Sequence, residues 1–391
     1  MSTVRIIRGA NFSGRSAMLA DALLAGRVAG PVAYIGTSAA SSLSGLTTTV
    51  EAECALNLGW SGRVLPGRLD AYFDGRGSQL LSSLSGGEQV LLALSGLVRT
   101  GLGAAGLDTA LEQLDGDWRE WAFSYLASLE APDVLVIDNR LRGGWQGELD
   151  NCQARVPTSW KLPPSPRLPC SSRVVPADIG LHGMSFCYGK SAPVFEDISL
   201  ALQSGSIYHL AGANGAGKTT LLRILCGVLR PSRGGLTVNG AEYRPDREGN
   251  RLIALSMQNP DQQWTEVTVG GDLRRRLAQS RTTTEPEEVE TRWRAIFADP
   301  ELFESHVLDI PRAMRRRLSW IWPLSGVHPW AVFDEPTLGQ DDEAVAWFRA
   351  AVGDLTGRGR GVILVSHDER LLEALPCQRL QIHDSKRITV G

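Results

Sequence analysis

The stretch Gly212-Ala213-Asn214-Gly215-Ala216-Gly217-Lys218-Thr219-Thr220 restricts this chain more than any other. It fits the pattern G-x-x-x-x-G-K-[ST], with Ile207-Tyr208-His209-Leu210 reading as a strand before it and Leu221-Leu222-Arg223-Ile224-Leu225 as a helix after it. Glycines at 212, 215 and 217 let the backbone turn so that successive N–H groups converge on a phosphate at a helix N-terminus. Lys218 adds a point charge for the β- and γ-phosphates, and Thr219 a hydroxyl for Mg²⁺. A glycine-rich turn can match such a pattern by chance. A match flanked by a strand and a helix in the right order is a phosphate-binding loop, so nucleotide binding is the first expectation.

At 391 residues the chain has room for two domains, each with its own core. A net charge of -3 leaves no general basic surface for a polyanion. The runs Arg274-Arg275-Arg276 and Arg315-Arg316-Arg317 read as solvated helix faces. The six cysteines show no C-x-x-C pair, which favours reduced thiols over a disulfide framework or a zinc site. Neither a signal-like segment nor an apolar run of bilayer length is visible, so a membrane role is expected to come through a partner.

The chain begins with an echo of the central motif. Val4-Arg5-Ile6-Ile7 reads as a strand running into Gly9-Ala10-Asn11-Phe12-Ser13-Gly14-Arg15-Ser16, with the same glycine spacing but Arg-Ser for Lys-Thr. Arginine is bulkier than lysine and presents a planar fork, so the exchange is not conservative. Val32 to Thr37, followed by Thr47 to Glu53, parallels Leu252 to Asp261, followed by Thr265 to Asp272, which points to a degenerate internal repeat. Leu84-Ser85-Gly86-Gly87-Glu88-Gln89 opens a helix-like run and offers a hydroxyl and unobstructed N–H groups to an anion, although a capped helix with nothing bound reads the same. Gly101 to Glu130 reads as a mixed, mainly helical insertion in which Trp118 and Trp121 pack, and Asp133 to Asn139 as a buried strand ending in a carboxylate. Prolines 157, 163, 164, 166, 169 and 176 set an extended linker. Past it, Trp330 to Thr337 is a strand ending in Asp334 and Glu335, suited to organising Mg²⁺ and polarising an attacking water. Val362 to Val365 ends at Ser366-His367, where α/β sheets bind ligands.

Together these residues resemble the ATPase subunits of ABC transporters, strongly over 178–391 and in degenerate form over 1–150. The resemblance makes Gly212 to Thr219 the Walker A loop, Phe333 to Thr337 Walker B, Gln258 the Q-loop glutamine and Leu338 to Asp341 the D-loop. It makes His367 the switch histidine, Tyr188 the ring that stacks on adenine, and Leu84 to Glu88 the signature. The wording from Gln258 to Gln263 looks most like the cobalt and energy-coupling-factor branch. In the second half the signature position falls at Ile310-Pro311-Arg312-Ala313-Met314, where glycines are missing. In the first half Arg15, Thr37 and Asn139 stand at the Walker A lysine, the Q-loop glutamine and the catalytic glutamate.

The resemblance therefore implies an α/β chain of two tandem P-loop NTPase domains, the first reduced and degenerate: 1–150, a linker at 151–177, and 178–391. It implies one complete ATP site, with Glu335, His367 and Gln258 catalytic, and Thr219, Gln258 and Asp334 on Mg²⁺. Tyr188, Gly212, Asn214, Gly215, Gly217, Lys218, Thr219 and Thr220 would hold the nucleotide, completed by Ser85, Gly86 and Gly87. The partner implied is an integral membrane transporter subunit, met on the cytoplasmic face of the membrane. A soluble mechanical ATPase and a nucleotide-gated regulatory module are the competing classes.

Overall fold

The structure, a computed structural model, describes residues 3–8, 18–19, 22–23, 32–36, 43, 47–61, 67–98, 102–129, 133–138, 148–151, 162–163, 166, 168, 175–189, 192–213, 215–244, 252–280, 286–297, 299, 301–383 and 387–391. Two compact units divide the chain: Met1–Val156 with Leu338–Asp341, and Pro157–Thr337 with Asp342–Gly391.

The first unit is built on a sheet of β1 (Thr3–Arg8), β2 (Val32–Ile35), β3 (Ala104–Asp108), β4 (Asp133–Ile137) and β5 (Glu148–Asn151) in the order β2-β3-β4-β1-β5, every pair parallel. The strands are short; β3 is buried at every position, as parallel strands covered on both faces are. Val90 to Leu94 of the helix Gly86–Ser95 join Val134 and Val136 in the core, with Trp118 and Trp121 packed against it.

In the second unit, two sheets share the core. An antiparallel sheet contains β6 (Ile179–Cys187), β7 (Pro193–Leu202), β9 (Arg233–Val238) and β10 (Ala241–Tyr243) in the order β10-β9-β6-β7. The larger sheet runs β11-β12-β13-β8-β14-β15: β8 (Ile207–Ala211), β11 (Ile253–Ser256), β12 (Trp330–Asp334), β13 (Gly361–Val365), β14 (Cys377–Ile382) and β15 (Ile388–Val390). Only its β14–β15 edge is antiparallel. β12 and β13 are buried throughout, and the indole of Trp330 donates to the Ala177 carbonyl at 2.6 Å, which ties the sheet centre to the segment entering the unit.

The two parallel sheets have the same strand order and the same register. Val32 pairs with Ala104 and Ala104 with Asp133, as Ile253 pairs with Trp330 and Trp330 with Gly361. Val4 pairs with Val134 as Ile207 does with Val362, and Arg5 with Glu148 as Tyr208 does with Gln378. This revises the reading of the first half. Asp133–Ile137 holds the sheet position of β13, not of β12. The β12 position belongs to Ala104–Asp108, inside the stretch expected to be a mainly helical insertion. The counterpart of Glu335 is accordingly Thr109; Asn139, like Arg15 and Thr37, lies outside the described residues.

Candidate functional site

β8 ends in the glycine loop, and the helix Lys218–Leu225 follows it. Gly217 caps that helix with φ 101°, a conformation side chains rarely adopt, and a Cβ there would lie 2.7 Å from Val194 Cγ1 and 2.9 Å from Phe195 Cζ. The loop closes on itself: Lys218 Nζ donates to the carbonyls of Gly212 at 2.7 Å and Ala213 at 3.1 Å. Asn214 lies outside the described residues, while Gly212, Gly215 and Thr220 lie within them. Thr220 is buried, and its Oγ1 is 3.0 Å from the hydroxyl of Tyr188. The Tyr188 ring is braced edge-on by Phe186 at 4.9 Å and is 44% exposed, so one aromatic face is presented beside the loop.

The acids at the end of β12 lie at the loop. Thr219 Oγ1 donates to Asp334 Oδ2 at 3.3 Å. Burial raises the Asp334 pKa from an ordinary 3.8 to about 6; the Glu335 charge adds to this, and Lys218, the Thr219 hydrogen bond and Arg316 oppose it. Glu335 follows at φ 49°, its N–H donating to the Val365 carbonyl at 2.8 Å. That left-handed turn aims the carboxylate at the end of β13, where the His367 N–H donates to Glu335 Oε2 at 3.4 Å and His367 Nε2 lies 3.7 Å from Oε1. Both acids are 5% exposed. Thr219, Asp334, Glu335 and His367 thus converge, and the Thr219 hydroxyl with the two carboxylates forms an oxygen donor set that suits a hard cation. The Thr219 hydroxyl and Asp334 carboxylate, already in hydrogen-bond contact, fit Mg²⁺.

Gln258 stands two residues beyond β11, half-buried, in the turn after the strand that neighbours β12. Its backbone is held from an unexpected direction. Arg316, expected on a solvated face, is 3% exposed and donates to the carbonyls of Met257 at 2.7 Å and of Gln258. Burial lowers its pKa to about 9, helped by the Arg312 charge and opposed by Asp334, Glu335 and Asp261. Arg317 is also buried, at 4% exposure. A second residue missed by sequence reading is His209 on β8, whose Nε2 lies 2.9 Å from the Ser366 carbonyl and so carries the proton. Its only sequence signal is a polar residue within an apolar strand.

The first unit presents the other predicted group. Ser85 caps the helix Gly86–Ser95 in a capping box: its Oγ accepts from Glu88 N at 3.4 Å and its N–H donates to Glu88 Oε2 at 2.7 Å. Glu88 also accepts from Tyr72 and pairs with Arg76. Burial pushes the Glu88 pKa up, but the Arg76 and Ser85 bonds outweigh it and hold it below 4.5. Because Ser85 Oγ acts here as an acceptor, its proton is left for an outside oxygen. At the end of β3, Thr109 repeats the geometry of Glu335: φ 53°, with its N–H donating to the Ile137 carbonyl at 2.9 Å. Its hydroxyl donates to the Asp108 carbonyl, and Asp108 accepts from the Tyr34 hydroxyl at 3.4 Å.

A parallel sheet with a glycine loop between strand and helix, a lysine at the loop's end, and a carboxylate pair at the end of a strand one place removed in the same sheet define a P-loop nucleotide-binding domain. Residues 195–338 match the family model described as ABC transporter. A Nod factor export ATP-binding protein of Rhizobium leguminosarum is 30% identical over 224 residues, covering 56% of this chain and 70% of that protein. A cobalt import ATP-binding protein of Syntrophus aciditrophicus is 30% identical over 188 residues, covering 46% and 65%. A Bacillus subtilis protein, described as a candidate HMP/thiamine import ATP-binding protein, is 29% identical over 207 residues; the match spans 52% of this chain and 37% of that relative. The chain belongs to the family of ABC transporter ATP-binding proteins. No helix among the described residues is long and apolar enough to cross a membrane.

Proposed function

We propose that this chain is the ATP-hydrolysing subunit of an ABC-type transporter, working through one complete site. The observation that carries the reading is the convergence of Thr219, Asp334, Glu335 and His367 on a closed glycine loop. Lys218 and the loop N–H groups hold the phosphates, and Tyr188 offers its ring to the adenine. Thr219, Asp334 and Gln258 hold Mg²⁺, which supplies neutralisation of phosphate charge. Glu335 orients the attacking water and takes its proton, and His367 sits against that carboxylate to fix the γ-phosphate end.

The first unit serves as a reduced, degenerate partner domain whose Ser85, Gly86 and Gly87 complete the site on the γ-phosphate. Support comes from the shared strand order and register of the two sheets, and from the Ser85 cap with its donor available. The opposite pairing is inactive. Thr109 stands in the geometry of Glu335 and has no carboxylate to accept a proton, and Pro311, Arg312 and Ala313 stand at the start of the helix Arg312–Ser319. An integral membrane subunit docks on the surface around Gln258 to Trp264, which continues to the exposed Val267. An amphipathic helix suits such a surface. The site lies on the cytoplasmic side, where the relatives named for import and export would meet ATP.

A panel of purified variants tests the reading. Lys218→Ala loses nucleotide binding, while Glu335→Gln binds ATP with turnover reduced on the order of 10²–10³-fold, as when one preorganised catalytic group is removed. Gly86→Asp, in the other unit, abolishes hydrolysis, whereas Thr109→Ala stays within a few-fold of wild type. A harmless Gly86→Asp would end the composite-site proposal, and normal turnover in Glu335→Gln would exclude that residue as the base.

A further inference from the structure

We infer that Arg316 is a positioning residue for Gln258: by gripping the Met257 and Gln258 carbonyls it fixes the turn from which the Gln258 amide is presented. This inference rests on the proposed ATPase reading for its catalytic consequence, though not for its structural one. Residues 257–263 belong to no sheet; within the turn, Met257 N donates to Gln263 Oε1 at 3.2 Å and Asp261 N to Asn259 Oδ1 at 3.1 Å. What holds it against the domain is the helix Arg312–Ser319. Arg312 Nη2 donates to Asn259 Oδ1 at 3.4 Å, Arg315 Nε lies 3.1 Å from Asp261 Oδ1, and Arg316 takes the two carbonyls. Three arginines at i, i+3 and i+4 fall on one helical face, and that face is turned to a single loop.

Packing alone does not explain an arginine here. The same helix fills the core with Met314 and Leu318, both fully buried, whereas a buried guanidinium carries a desolvation cost that only well-placed acceptors offset. The fork geometry matters, since the planar guanidinium sets two N–H donors at a fixed spacing against two carbonyls a residue apart, whereas an ammonium meets such a pair only as a compact charge on a flexible stem. Asp334, Glu335 and Asp261 all act on Arg316 with attraction, so the group holding the Gln258 turn also faces the carboxylates that Gln258 must work beside. Carbonyl bonds fix the backbone and leave the Gln258 side chain to reach a ligand.

The test uses the full chain with Arg316→Met and Arg316→Lys, read by deuterium uptake of the 257–263 segment without nucleotide and by kcat and KM for Mg·ATP. Arg316→Met should raise uptake in 257–263 while β11 and β12 stay protected, and lower kcat on the order of 10–100-fold, the cost of a misplaced catalytic group. KM should stay within about threefold, because phosphate binding belongs to the glycine loop. Arg316→Lys, which keeps the charge and its donors but loses the planar fork, should fall between. Unchanged uptake, or raised uptake with unchanged kcat, overturns the proposal. So does a uniform rise across β11 and β12 with a kcat loss that tracks Tm, since that marks a merely structural residue. If wild-type protein proves to have no ATPase activity, the functional reading fails by itself and the uptake pattern alone decides whether Arg316 holds the turn.

Discussion

Replacing Asp334 by asparagine should make the nucleotide-free protein more stable. The carboxyl is buried beside Glu335, and its pKa is raised from 3.8 to about 6 by that burial first and the neighbouring charge second. An acid whose pKa is raised by folding binds its proton more tightly in the native state than in the unfolded chain. Ionisation therefore costs nothing below pH 3.8, costs progressively more between 3.8 and 6, and costs its full amount above 6. At pH 7.5 that amount is about 3 kcal/mol, and at pH 5 about half of it. Asparagine keeps the shape, lets Thr219 keep an acceptor, and removes the charge. In a unit of this size, about 3 kcal/mol corresponds to a Tm rise of roughly 6–12 °C. Scanning calorimetry of both proteins in chelator at pH 7.5 and pH 5 should show a clear gain for the variant at the higher pH and about half of it at the lower. With Mg·ATP at about 1,000 times Kd the order should reverse, since the ligand then stabilises by about 4.1 kcal/mol only the protein that binds it. A variant less stable than wild type at pH 7.5, or an offset identical at both pH values, would refute the electrostatic argument.

Further substitutions probe the loop and the docking surface. Gly217→Ala forces a Cβ into the space of Val194 and Phe195 at a left-handed position. It should cost about 1–3 kcal/mol from the backbone alone, seen in urea unfolding, and weaken nucleotide binding more than the neighbouring Ala216→Gly does. Trp264 is half-buried, and its buried indole N–H makes no hydrogen bond, so Trp264→Phe should leave Tm nearly unchanged. Trp264→Ala should uncouple transport in membranes while sparing basal ATPase; equal loss of fold and both activities would mark it as a core residue only.

The second unit's site was legible because its signals are local. A glycine loop, a strand ending in two acids and a strand ending in Ser366-His367 each carry their geometry within about ten residues, and parallel packing at the strand ends then brings them together. The first unit was harder to place. Asp133–Ile137 reads correctly as a strand, but which place a strand takes in a parallel sheet is a long-range property that periodicity does not encode. β3 was lost because Ala104-Ala105-Gly106 lacks the branched residues that announce a strand; Gly106 lies against Leu19 and Leu23, where a Cβ would be 2.5 Å from Leu23 Cδ1. The arginine triplet was misread for a similar reason. The acceptors of Arg316 are the backbone carbonyls of Met257 and Gln258, 59 and 58 positions earlier, and nothing in Arg315-Arg316-Arg317 itself reports them.

The matching registers of the two sheets separate what a protein's frame can lose from what it cannot. Sliding one buried strand by a single residue would turn every side chain it carries to the opposite face, so the pairing is locked by all of its neighbours at once. The residue just past a strand's end has no such lock. Glu335 and Thr109 share a left-handed φ, 49° and 53°, and the same bond to the adjacent strand, yet one carries an acid and the other does not. Chemistry placed at those ends can be written or erased one side chain at a time while the architecture beneath it stays legible.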